Sequence, residues 1–529
     1  MEIALSFVTA LAFMAFFLRR QLVYLHLFQQ DEYDNGRFLK GLFERRLFDR
    51  KASLVALAAT LVGLVPGVPG LVPHMALVVG FVALAATETD PRVVGKKKLA
   101  MTARAKRIYW LSAGCMLPVV ALSCLSDAIY SWLVPVQLIP TLLTVANLLL
   151  SPFENRIQRK YWLEASDKLK QLQPTIIGIT GSYGKSTVKH IFGHILSTVD
   201  STLITPGSIN TSMGISRIVR EKLQRHHKFF VVEMGAYGPG SISRLCELSP
   251  PHHGIVTAIG PAHYERFKSL DAVARTKFEL GEAVLAANGK LMVAESCRAR
   301  APAREFCDAH PDTVVLTGES DDAACRIVST RQTREGTEVD LAWRGESFSV
   351  KAPLYGPHQA GNICLAFAAA CTLGVPPQTA VLALKGAPQV SHRLEVRRQS
   401  DGITIVDDAY NSNPEGFASA LELLSVLVEP GGRRILVTPG IVELGEIHDE
   451  VHGRLGAVAA RHVDVLVPVL PDRIRSFISA FEEAASGASV VPCATFAAAS
   501  DWMAGNLRAG DIVLLENDLP DLYESNIRL

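Results

Sequence analysis

The chain has 529 residues, which is enough for about three domains. Its 53 Lys and Arg residues nearly balance its 52 Asp and Glu residues, so the formal net charge of +1 excludes a general attraction to nucleic acid or another polyanion. Hydrophobic residues make up 49% of the chain and the mean hydropathy is +0.22, which is high for a soluble enzyme. The nine cysteines show no paired metal-ligand spacing and indicate reduced, mostly buried thiols.

The hydrophobic excess is concentrated in residues 1–153, where apolar stretches of spanning or near-spanning length follow one another. A cleaved signal peptide ends in small residues, whereas the first stretch runs through Phe16-Phe17-Leu18 into two arginines, so we interpret it as an uncleaved anchor. We therefore predict an N-terminal helical transmembrane domain with about five spans. The stretches are residues 2–18, 52–69, 70–87, 108–125 and 129–150.

Charged residues in the connecting segments predict the orientation. Residues 19–51 and 92–107 are rich in Lys and Arg and should be cytoplasmic, next to anionic membrane lipid. Residues 65–70 and 126–127 contain neither Lys nor Arg and suit the outer side. A multi-pass protein of the cytoplasmic (inner) membrane follows, with its N-terminus outside and everything after Glu154 in the cytoplasm.

The second and third stretches are also compatible with a re-entrant hairpin. Pro66 and Pro69 interrupt them, and both stretches are short for a span. Because such a hairpin enters and leaves on the same side, the predicted location of the remaining chain does not change.

A glycine-rich turn lies between an apolar run and a helical pattern, in Gly178-Ile-Thr-Gly-Ser-Tyr-Gly-Lys-Ser-Thr187. Glycines let backbone N–H groups close on phosphate oxygens, Lys185 can reach the terminal phosphates, and the Ser186 hydroxyl can bind Mg²⁺. The strict P-loop pattern has glycine where this chain has Ile179, so the context matters more. The run before the turn predicts a buried strand and residues 185–197 predict a helix, which favours an ATP site over an ordinary strand–turn–helix corner.

From Thr175 onward, apolar strand-like runs alternate with helical ones, which is typical of a parallel sheet with helices on both faces. We predict an α/β fold with a central P-loop domain over residues 154–392, containing a doubly wound, mostly parallel sheet with antiparallel strands near 338–355. A second alternation over residues 393–529 predicts a C-terminal Rossmann-like domain. Its predicted strands are residues 403–407, 434–437, 463–467 and 512–515, and its predicted helices are residues 415–427, 448–460 and 474–485.

Three polar residues follow predicted strands, where ligands of such sheets bind. Glu233 ends a strand in Glu-Met-Gly-Ala, His263 follows the next strand in Gly-Pro-Ala-His, and Lys277 comes 14 residues later. A carboxylate and an imidazole close to a P-loop can supply Mg²⁺ ligands. Taken singly, the three residues are equally compatible with a helix cap, a loop histidine and a solvated helix cation. Their joint placement after one P-loop favours a catalytic site.

An ordered series of motifs makes the interpretation more specific. It resembles that of the Mur ligase family over about residues 171–516, and most of all the members that add D-alanyl-D-alanine to the peptidoglycan precursor. The resemblance does not extend to residues 1–153. The series is Thr-Gly-Ser-Tyr-Gly-Lys-Ser-Thr, Glu-Met-Gly-Ala, Gly-Pro-Ala-His with a lysine 14 residues on, Gly-Pro-His358 with Asn362, Asp407-Asp-Ala-Tyr-Asn-Ser-Asn-Pro414, and Val442-Glu-Leu-Gly with His452.

The resemblance implies ATP and Mg²⁺ as cofactors and assigns catalytic residues. Lys185 holds the β- and γ-phosphates, Ser186 and Glu233 bind one Mg²⁺, and His263 binds a second. Lys277 is implied to be carbamylated and to act as a further metal ligand. CO₂ adds to a neutral amine and gives a carboxylate-like group that can bind Mg²⁺.

The same resemblance assigns the remaining site residues. Asn411 and Asn413 are implied to border the incoming amine, within the segment 411–414. Asp408 and Tyr410 are implied to close over the nucleotide from the C-terminal domain. The nucleotide-binding set is Thr180, Gly181, Gly184, Lys185, Ser186, Thr187, Asn362, Arg393, Asp408 and Tyr410.

Departures from the family concern the substrate pockets. Family members carry a uridine-nucleotide-binding domain before the P-loop, whereas about 20 residues separate the last predicted span from the first strand here. The family's usual basic Lys-Gly-Ser-Arg stretch is replaced by the acidic Glu516-Asn-Asp-Leu-Pro-Asp521. Pro439-Gly440 stands where the family usually has Gly-Asp.

We therefore predict an ATP-dependent, ADP-forming amide ligase, anchored in the cytoplasmic membrane, that joins an amine to a cell-envelope precursor through an acyl phosphate. The alternative within the same chemistry is a lipid-linked or poly-γ-glutamate-type substrate. A P-loop ATPase that drives a membrane process is disfavoured, because the predicted spans contain no embedded charge and no motor signature is evident. The intact Lys185, Glu233, His263 and Lys277 disfavour a catalytically silent scaffold.

Overall fold

The computed structural model describes residues 2–31, 33–44, 49–93, 98–126, 128–260, 267–409, 412–442 and 444–517. The chain divides into two compact units, one based on Met1–Arg159 and the other on Lys160–Leu519. The first unit is built from helices, and the second contains two sheets with helices packed on them. The predicted α/β fold, with a helical N-terminal part and two sheet-containing domains, is confirmed.

Apolar helices form the first unit, and their aromatic side chains make its core. The Phe13 ring packs edge-on against Phe81, with 5.2 Å between centroids, and lies 6.1 Å from Trp132. Side-chain caps begin two of the helices: Asp49 accepts from the Ala52 N–H, and Thr102 caps a later helix in the same way. The helices of the described residues are α1 Glu2–Gln30, α2 Asn35–Glu44, α3 Arg50–Gly63, α4 Leu71–Thr87, α5 Ala103–Leu125 and α6 Leu133–Leu172.

Three helical segments of the described chain are long and apolar enough to cross a membrane, judged by length and composition. They are Ala4–Gln30, Ala103–Leu125 and Ile129–Leu172, and each overlaps one predicted stretch. The second and third stretches instead form α3 and α4, which have 14 and 17 residues. A spanning helix needs about 20 residues, so two short spans and a re-entrant hairpin both stay open, and the count of five spans stays a prediction.

A buried group of charges ties three helices of this unit together. The Arg20 guanidinium, in the second half of α1, lies 2.8 Å from an Asp49 oxygen and 3.1 Å from a Glu88 oxygen. Asp49 precedes α3 and Glu88 follows α4, so the two ends of this helix pair lie at one level, beside Arg20. The pairing offsets the cost of burying these charges.

The central sheet of nine strands carries the glycine-rich turn. Its strands are β1 Thr175–Thr180, β2 Thr202–Ile204, β3 Phe229–Glu233, β4 His253–Val256, β5 Leu291–Ala294, β6 Val314–Gly318, β7 Cys325–Thr333, β8 Gly336–Trp343 and β9 Glu346–Ala352. Their order is β2-β3-β1-β4-β5-β6-β7-β8-β9, with parallel pairing from β2 through β7 and antiparallel pairing for β8 and β9. This confirms the mostly parallel sheet with an antiparallel edge.

Helices cover both faces of the central sheet, so it is doubly wound. They are α7 Lys185–Ser197, α8 Ser212–Lys222, α9 Ser241–Leu248, α10 Leu270–Ala286, α11 Ala301–Ala309, α12 Gln359–Thr372 and α13 Pro377–Leu384. One hydrophobic core contains residues of α7, α12 and α13, and another contains residues of the four helices from α8 to α11. Sequence patterning explains the burial of α12, because nearly all of its side chains are apolar or small.

The C-terminal sheet has six strands, which are β10 Glu395–Arg398, β11 Thr404–Asp408, β12 Arg434–Thr438, β13 Val465–Pro468, β14 Ser489–Val490 and β15 Ile512–Glu516. Their order is β10-β11-β15-β12-β13-β14, with β10 antiparallel and the others parallel. The helices are α14 Pro414–Leu427, α15 His448–Ala459, α16 Arg475–Ala484 and α17 Phe496–Asn506. The four predicted strands and three predicted helices are present within two residues of the expected bounds, whereas β10, β14 and α17 were not predicted.

Candidate active site

The turn between β1 and α7 has the shape of a phosphate cradle. Gly181 has φ +151° and Gly184 has φ +79°, a region that favours glycine. A Cβ at Gly181 would lie 1.9 Å from the Thr257 hydroxyl oxygen, and one at Gly184 would lie 2.7 Å from the Asn362 amide oxygen. Both positions therefore require glycine. Because α7 begins directly after Gly184, its N-terminus lies beside the turn.

Neighbouring loops fix the cradle. The Ser182 N–H donates to the Ala258 carbonyl over 2.8 Å, and the Ser182 hydroxyl lies 3.0 Å from the Gly260 carbonyl oxygen. The Thr180 hydroxyl donates to the Met234 carbonyl over 3.0 Å. The turn is thus bonded to the segments that follow β3 and β4, which is where the sequence predicted further site residues.

Lys185 lies at the first position of α7 and folds back over the turn. Its ammonium donates to the Gly181 carbonyl over 2.6 Å and lies 3.3 Å from the Ser182 carbonyl. Burial lowers the pKa of Lys185 below its ordinary value. The cation is thus held at the mouth of the cradle, where terminal phosphates of a nucleotide would lie.

Glu233, at the end of β3, is the centre of a polar cluster. Its Oε2 accepts the Ser186 hydroxyl and the Lys189 ammonium, each over 2.9 Å, and its Oε1 accepts the Asn210 amide over 3.2 Å. The Glu233 N–H donates to the Thr205 hydroxyl over 3.1 Å. The predicted pair of Ser186 and Glu233 is therefore brought together.

Sequence reasoning missed Lys189 and Asn210. Lys189 follows Lys185 by one helical turn and lies among Val188, Ile191 and Phe192 in a buried face, so a lysine in an apolar pattern was the available signal. Asn210 lies in a loop, and no sequence pattern points to it. Lys189 also donates to the Gly207 carbonyl and is fully buried.

Lys277 lies inside α10 with 4% of its surface exposed, so it is not the solvated helix cation of the alternative interpretation. Burial and the nearby Lys185 ammonium lower its pKa to about 7. The neutral amine is therefore a major form at neutral pH, which is the form that reacts with CO₂. His263, the predicted third member of this group, lies outside the described residues.

The nucleotide-side residues come together from both sheet domains. Thr187, Gln359 and Arg393 line one small cavity. Asn362 donates to the Gln359 amide oxygen over 3.1 Å and faces Gly184 of the cradle. The structure thus brings Thr187, Asn362 and Arg393 together near the P-loop, and their contact with a nucleotide stays a prediction.

The predicted C-terminal residues occupy the end of β11 and the segment after it. Asp408 accepts the Leu394 N–H over 3.1 Å, and burial raises its pKa to about 6. Asn413 caps α14 by accepting the Gly416 N–H over 2.9 Å, so its side-chain oxygen already has a structural partner. Tyr410 and Asn411 lie outside the described residues.

The residues present suit a nucleotide triphosphate with Mg²⁺. The cradle has space only for glycine at Gly181 and Gly184, and Lys185 supplies a cation at its mouth. Ser186 and Glu233 offer a hydroxyl and a carboxylate, which are the oxygen ligands that Mg²⁺ prefers. Within the described residues no cluster of three or more His, Cys, Asp or Glu side chains is placed for a metal, so phosphate oxygens and residues such as His263 would complete the coordination.

Comparisons with known proteins agree with this geometry. The Mur ligase middle domain model matches residues 179–370, and the model of the Mur ligase glutamate ligase domain matches residues 392–516. A UDP-N-acetylmuramoyl-tripeptide–D-alanyl-D-alanine ligase from Mycobacterium leprae is 31% identical over 373 residues, covering 65% of this chain and 70% of the relative.

Solved structures show the same architecture. MurF from Acinetobacter baumannii is similar with a TM-score of 0.56 at 26% identity, covering 68% of this chain and 77% of that one. The MurF ligase from Thermotoga maritima in complex with ADP shares the fold, with a TM-score of 0.56 at 24% identity over 68% of this chain and 80% of that one. The phosphate cradle, the Ser186–Glu233 pair and these matches lead to one conclusion: the chain belongs to the Mur ligase family of ATP-dependent, ADP-forming ligases, which use ATP with Mg²⁺.

Proposed function

We propose that this chain is a membrane-anchored Mur ligase that joins an amine to a carboxylate of a cell-envelope precursor, at the cytoplasmic face of the membrane. One observation carries the proposal: a phosphate cradle with an adjoining hydroxyl–carboxylate pair occurs in the same chain as helices that expose a large apolar surface. The first feature supports ligase chemistry, and the second supports a membrane location.

The apolar exposure is concentrated in one unit. Among the described residues, 25 large hydrophobic side chains are exposed before residue 160 and eight after it, although the second part is more than twice as long. Soluble proteins rarely expose so many large apolar side chains on one group of helices, whereas lipid-facing helices do. Examples from α3 to α6 are Leu54, Leu61, Met75, Val79, Leu117, Leu122, Val134 and Leu148.

Polar contacts support the proposed orientation. Arg107, in the basic segment before and within the start of α5, forms a two-bond pair with Glu154 over 2.6 and 3.0 Å. Arg104 donates to Asn147 over 3.0 Å. The start of α5 and this part of α6 therefore lie at the same polar end of the helices, and the excess of Lys and Arg there supports a cytoplasmic location. The buried charges beside Arg20 likewise gather both ends of the α3–α4 pair at one side.

The site residues divide the chemical work. Bound ATP with Mg²⁺ supplies the γ-phosphoryl group that converts the donor carboxylate into an acyl phosphate. Ser186 and Glu233 would hold one metal ion and His263 another, while Lys185 offsets the negative charge that develops on the phosphoryl oxygens. The amine nitrogen then bonds to the acyl carbon, the phosphate leaves with the electron pair of the broken C–O bond, and the amine releases a proton.

Lys277 fits the role of a carbamylated ligand. Its neutral amine can add to CO₂ with release of one proton, and the product carries a negative charge where an ammonium would repel metal ions. Its burial in α10 and the lowering of its pKa by the nearby Lys185 ammonium support a position close to the phosphate site. Lys185, Glu233, His263 and Lys277 are the residues that we propose as catalytic.

The substrates follow by analogy with the relatives. The named relatives act on a UDP-N-acetylmuramoyl tripeptide and D-alanyl-D-alanine, so a muramyl peptide is the proposed donor class. The helices of the first unit favour a donor at the membrane surface, and a lipid-linked or poly-γ-glutamate-type substrate is the alternative within the same chemistry.

An ADP-release screen tests the proposal. The full-length protein in detergent micelles is supplied with candidate carboxylate donors, alone and with amino acids or dipeptides. We expect ADP release to require both a donor and an amine, and to be lost in Lys185→Ala without a change in membrane insertion. The exposed Lys385→Ala serves as the matched control. Undiminished ADP release by Lys185→Ala contradicts the site, and amine-independent release would indicate the membrane ATPase instead.

A further inference from the structure

The carboxyl ends of β11 and β15 place two acids side by side. Asp408 and Glu516 are the last residues of these neighbouring parallel strands, and their Cα atoms are partners in the register. Ligands of doubly wound sheets bind beyond this end of the strands. The pair therefore lies where the C-terminal domain is expected to receive a substrate.

Glu516 is fully enclosed, with an exposed fraction of 0%. The Ser412 hydroxyl donates to its Oε1, whereas its Oε2 has no hydrogen-bond partner in the described part of the chain. Burial and the neighbouring Asp408 raise the pKa of Glu516 well above its ordinary value. A buried acceptor without a partner destabilises the fold, so a donor group that bonded to this oxygen would be stabilising.

The other buried acids show what Glu516 lacks. Five further acids in the described residues have an exposed fraction of at most 4%, and each of them forms an ion pair with a cationic side chain of the same chain. Glu516 is the buried acid of the described residues for which no ion pair is formed. The five pairs are Arg20–Asp49, Arg107–Glu154, Lys189–Glu233, Arg397–Asp407 and Arg433–Asp511.

We propose that Glu516 and Asp408 form a subsite for a positively charged group of the amine substrate. This inference rests on the proposed ligase function, because it specifies the class of amine: a basic amino acid, or a short peptide with a basic side chain. An ammonium or guanidinium group supplies hydrogen-bond donors to the free Oε2, and its positive charge favours the ionised form of the two neighbouring acids. Because Glu516 is enclosed, the cationic group reaches it only after a local opening of the fold. Little water then competes for the carboxylate, which strengthens the electrostatic attraction.

Dipeptides that differ only at the end of one side chain separate charge from size. We would compare alanyl-lysine with alanyl-norleucine, in both the L and D series, by calorimetric titration of the full-length protein in detergent with ADP and Mg²⁺ present. The wild-type protein should bind the lysine dipeptide at least about tenfold more tightly than its norleucine counterpart. Glu516→Gln, which keeps the size of the side chain, should reduce this ratio to below about threefold.

The control is Glu483→Gln, at an exposed acid of α16, which should leave the ratio unchanged. A wild-type ratio below about threefold overturns the subsite whether or not Glu516→Gln folds, and so does an unchanged ratio in a folded Glu516→Gln. ADP release with a fixed donor separates this failure from that of the ligase function. If uncharged dipeptides stimulate release as strongly as basic ones, only the subsite is wrong. If no amine stimulates release, the ligase function is wrong as well.

Discussion

Lys189 and Glu233 form an enclosed ion pair in which the ammonium lies 2.9 Å from the carboxylate and the exposed fractions of the two side chains are 0% and 1%. The same carboxylate oxygen accepts the Ser186 hydroxyl. Lys189 therefore fixes the proposed metal-binding carboxylate in the orientation that faces the P-loop serine. An isolated buried carboxylate could not be held this way without a large desolvation cost.

Replacement of Lys189 by Met should destabilise the protein by about 3–5 kcal/mol, because it leaves the buried Glu233 charge unpaired. Urea unfolding followed by the tryptophan fluorescence of the second unit measures the loss. The double variant Lys189→Met/Glu233→Gln removes both charges and should recover most of the stability while staying inactive. A single variant that loses less than about 1 kcal/mol would show that the pair is no stronger than a surface ion pair.

Lys277→Ala should be nearly inactive, because it removes the group that we propose as a carbamate ligand. A small carboxylate such as acetate, which can enter the vacated space, should restore part of the ADP release. Lys277→Arg should not be rescued, since its guanidinium stays cationic and fills the space. An active Lys277→Arg enzyme would mean that Lys277 is not a metal ligand. The proposed two-metal site would then contain Glu233 and His263 without a carbamate.

The buried Lys277 also predicts a pH-dependent stability. The pKa of Lys277 is about 7 in the folded chain, whereas its ordinary value, which applies to the unfolded chain, is 10.5. At pH values between the two, the unfolded chain therefore binds more protons than the folded chain. The free energy of unfolding should therefore rise with pH across this window, and the cost of burying the lysine is largest below pH 7. In buffer free of CO₂ and Mg²⁺, Lys277→Met should have a higher Tm than the wild type, with the largest difference at acidic pH. A lower Tm of the variant at acidic pH would contradict the depressed pKa.

Topology can be measured separately from catalysis. Reporter fusions after Phe153 should report the cytoplasm, and fusions at Pro69 should report the outer side, because the basic segments flank the other ends of the helices. If α3 and α4 form a hairpin that does not cross, the Pro69 reporter alone should change. A reporter on the outer side after Phe153 would separate the site from cytoplasmic ATP and refute the orientation.

The donor can be identified by direct comparison. We expect turnover with a lipid-linked muramyl peptide to exceed turnover with the soluble UDP-linked form, because the proposed membrane location would put the enzyme beside such a donor. Both donors are supplied at equal concentration to the protein in nanodiscs, with the same amine. A clear preference for the UDP-linked form would show that the helical first unit does not serve donor binding.

Much of the phosphate site was predictable because its residues lie within one local motif. The strand to Thr180, the turn glycines and the helix from Lys185 follow from chain geometry over 13 residues, even though Ile179 breaks the strict pattern. Lys189 was not predicted, because its role depends on Glu233, which is 44 residues away in the sequence. Spatial partners at such separations leave no periodic signal.

The Asn413 side chain has a structural role that was not predicted. Its place in a family motif suggested a substrate contact, whereas the pattern Asn413-Pro414-Glu415 is also a helix start, with a capping residue followed by proline at the first helical position. In the structure, the Asn413 side chain caps α14.

The edge strands β10 and β14 were missed because they have four and two residues, too few for an alternating pattern to appear.

The position of β15 has a consequence for biosynthesis. This strand pairs with β11 on one side and β12 on the other, although it is the last of the sheet to be translated. While the ribosome is still making residues 439–511, β11 and β12 lack the strand that joins them, and Asp408 lacks Glu516 beside it. The C-terminal sheet is therefore completed late, after all the helices of the first unit have been made, so a nascent chain lacks a finished C-terminal domain until Glu516 has been translated.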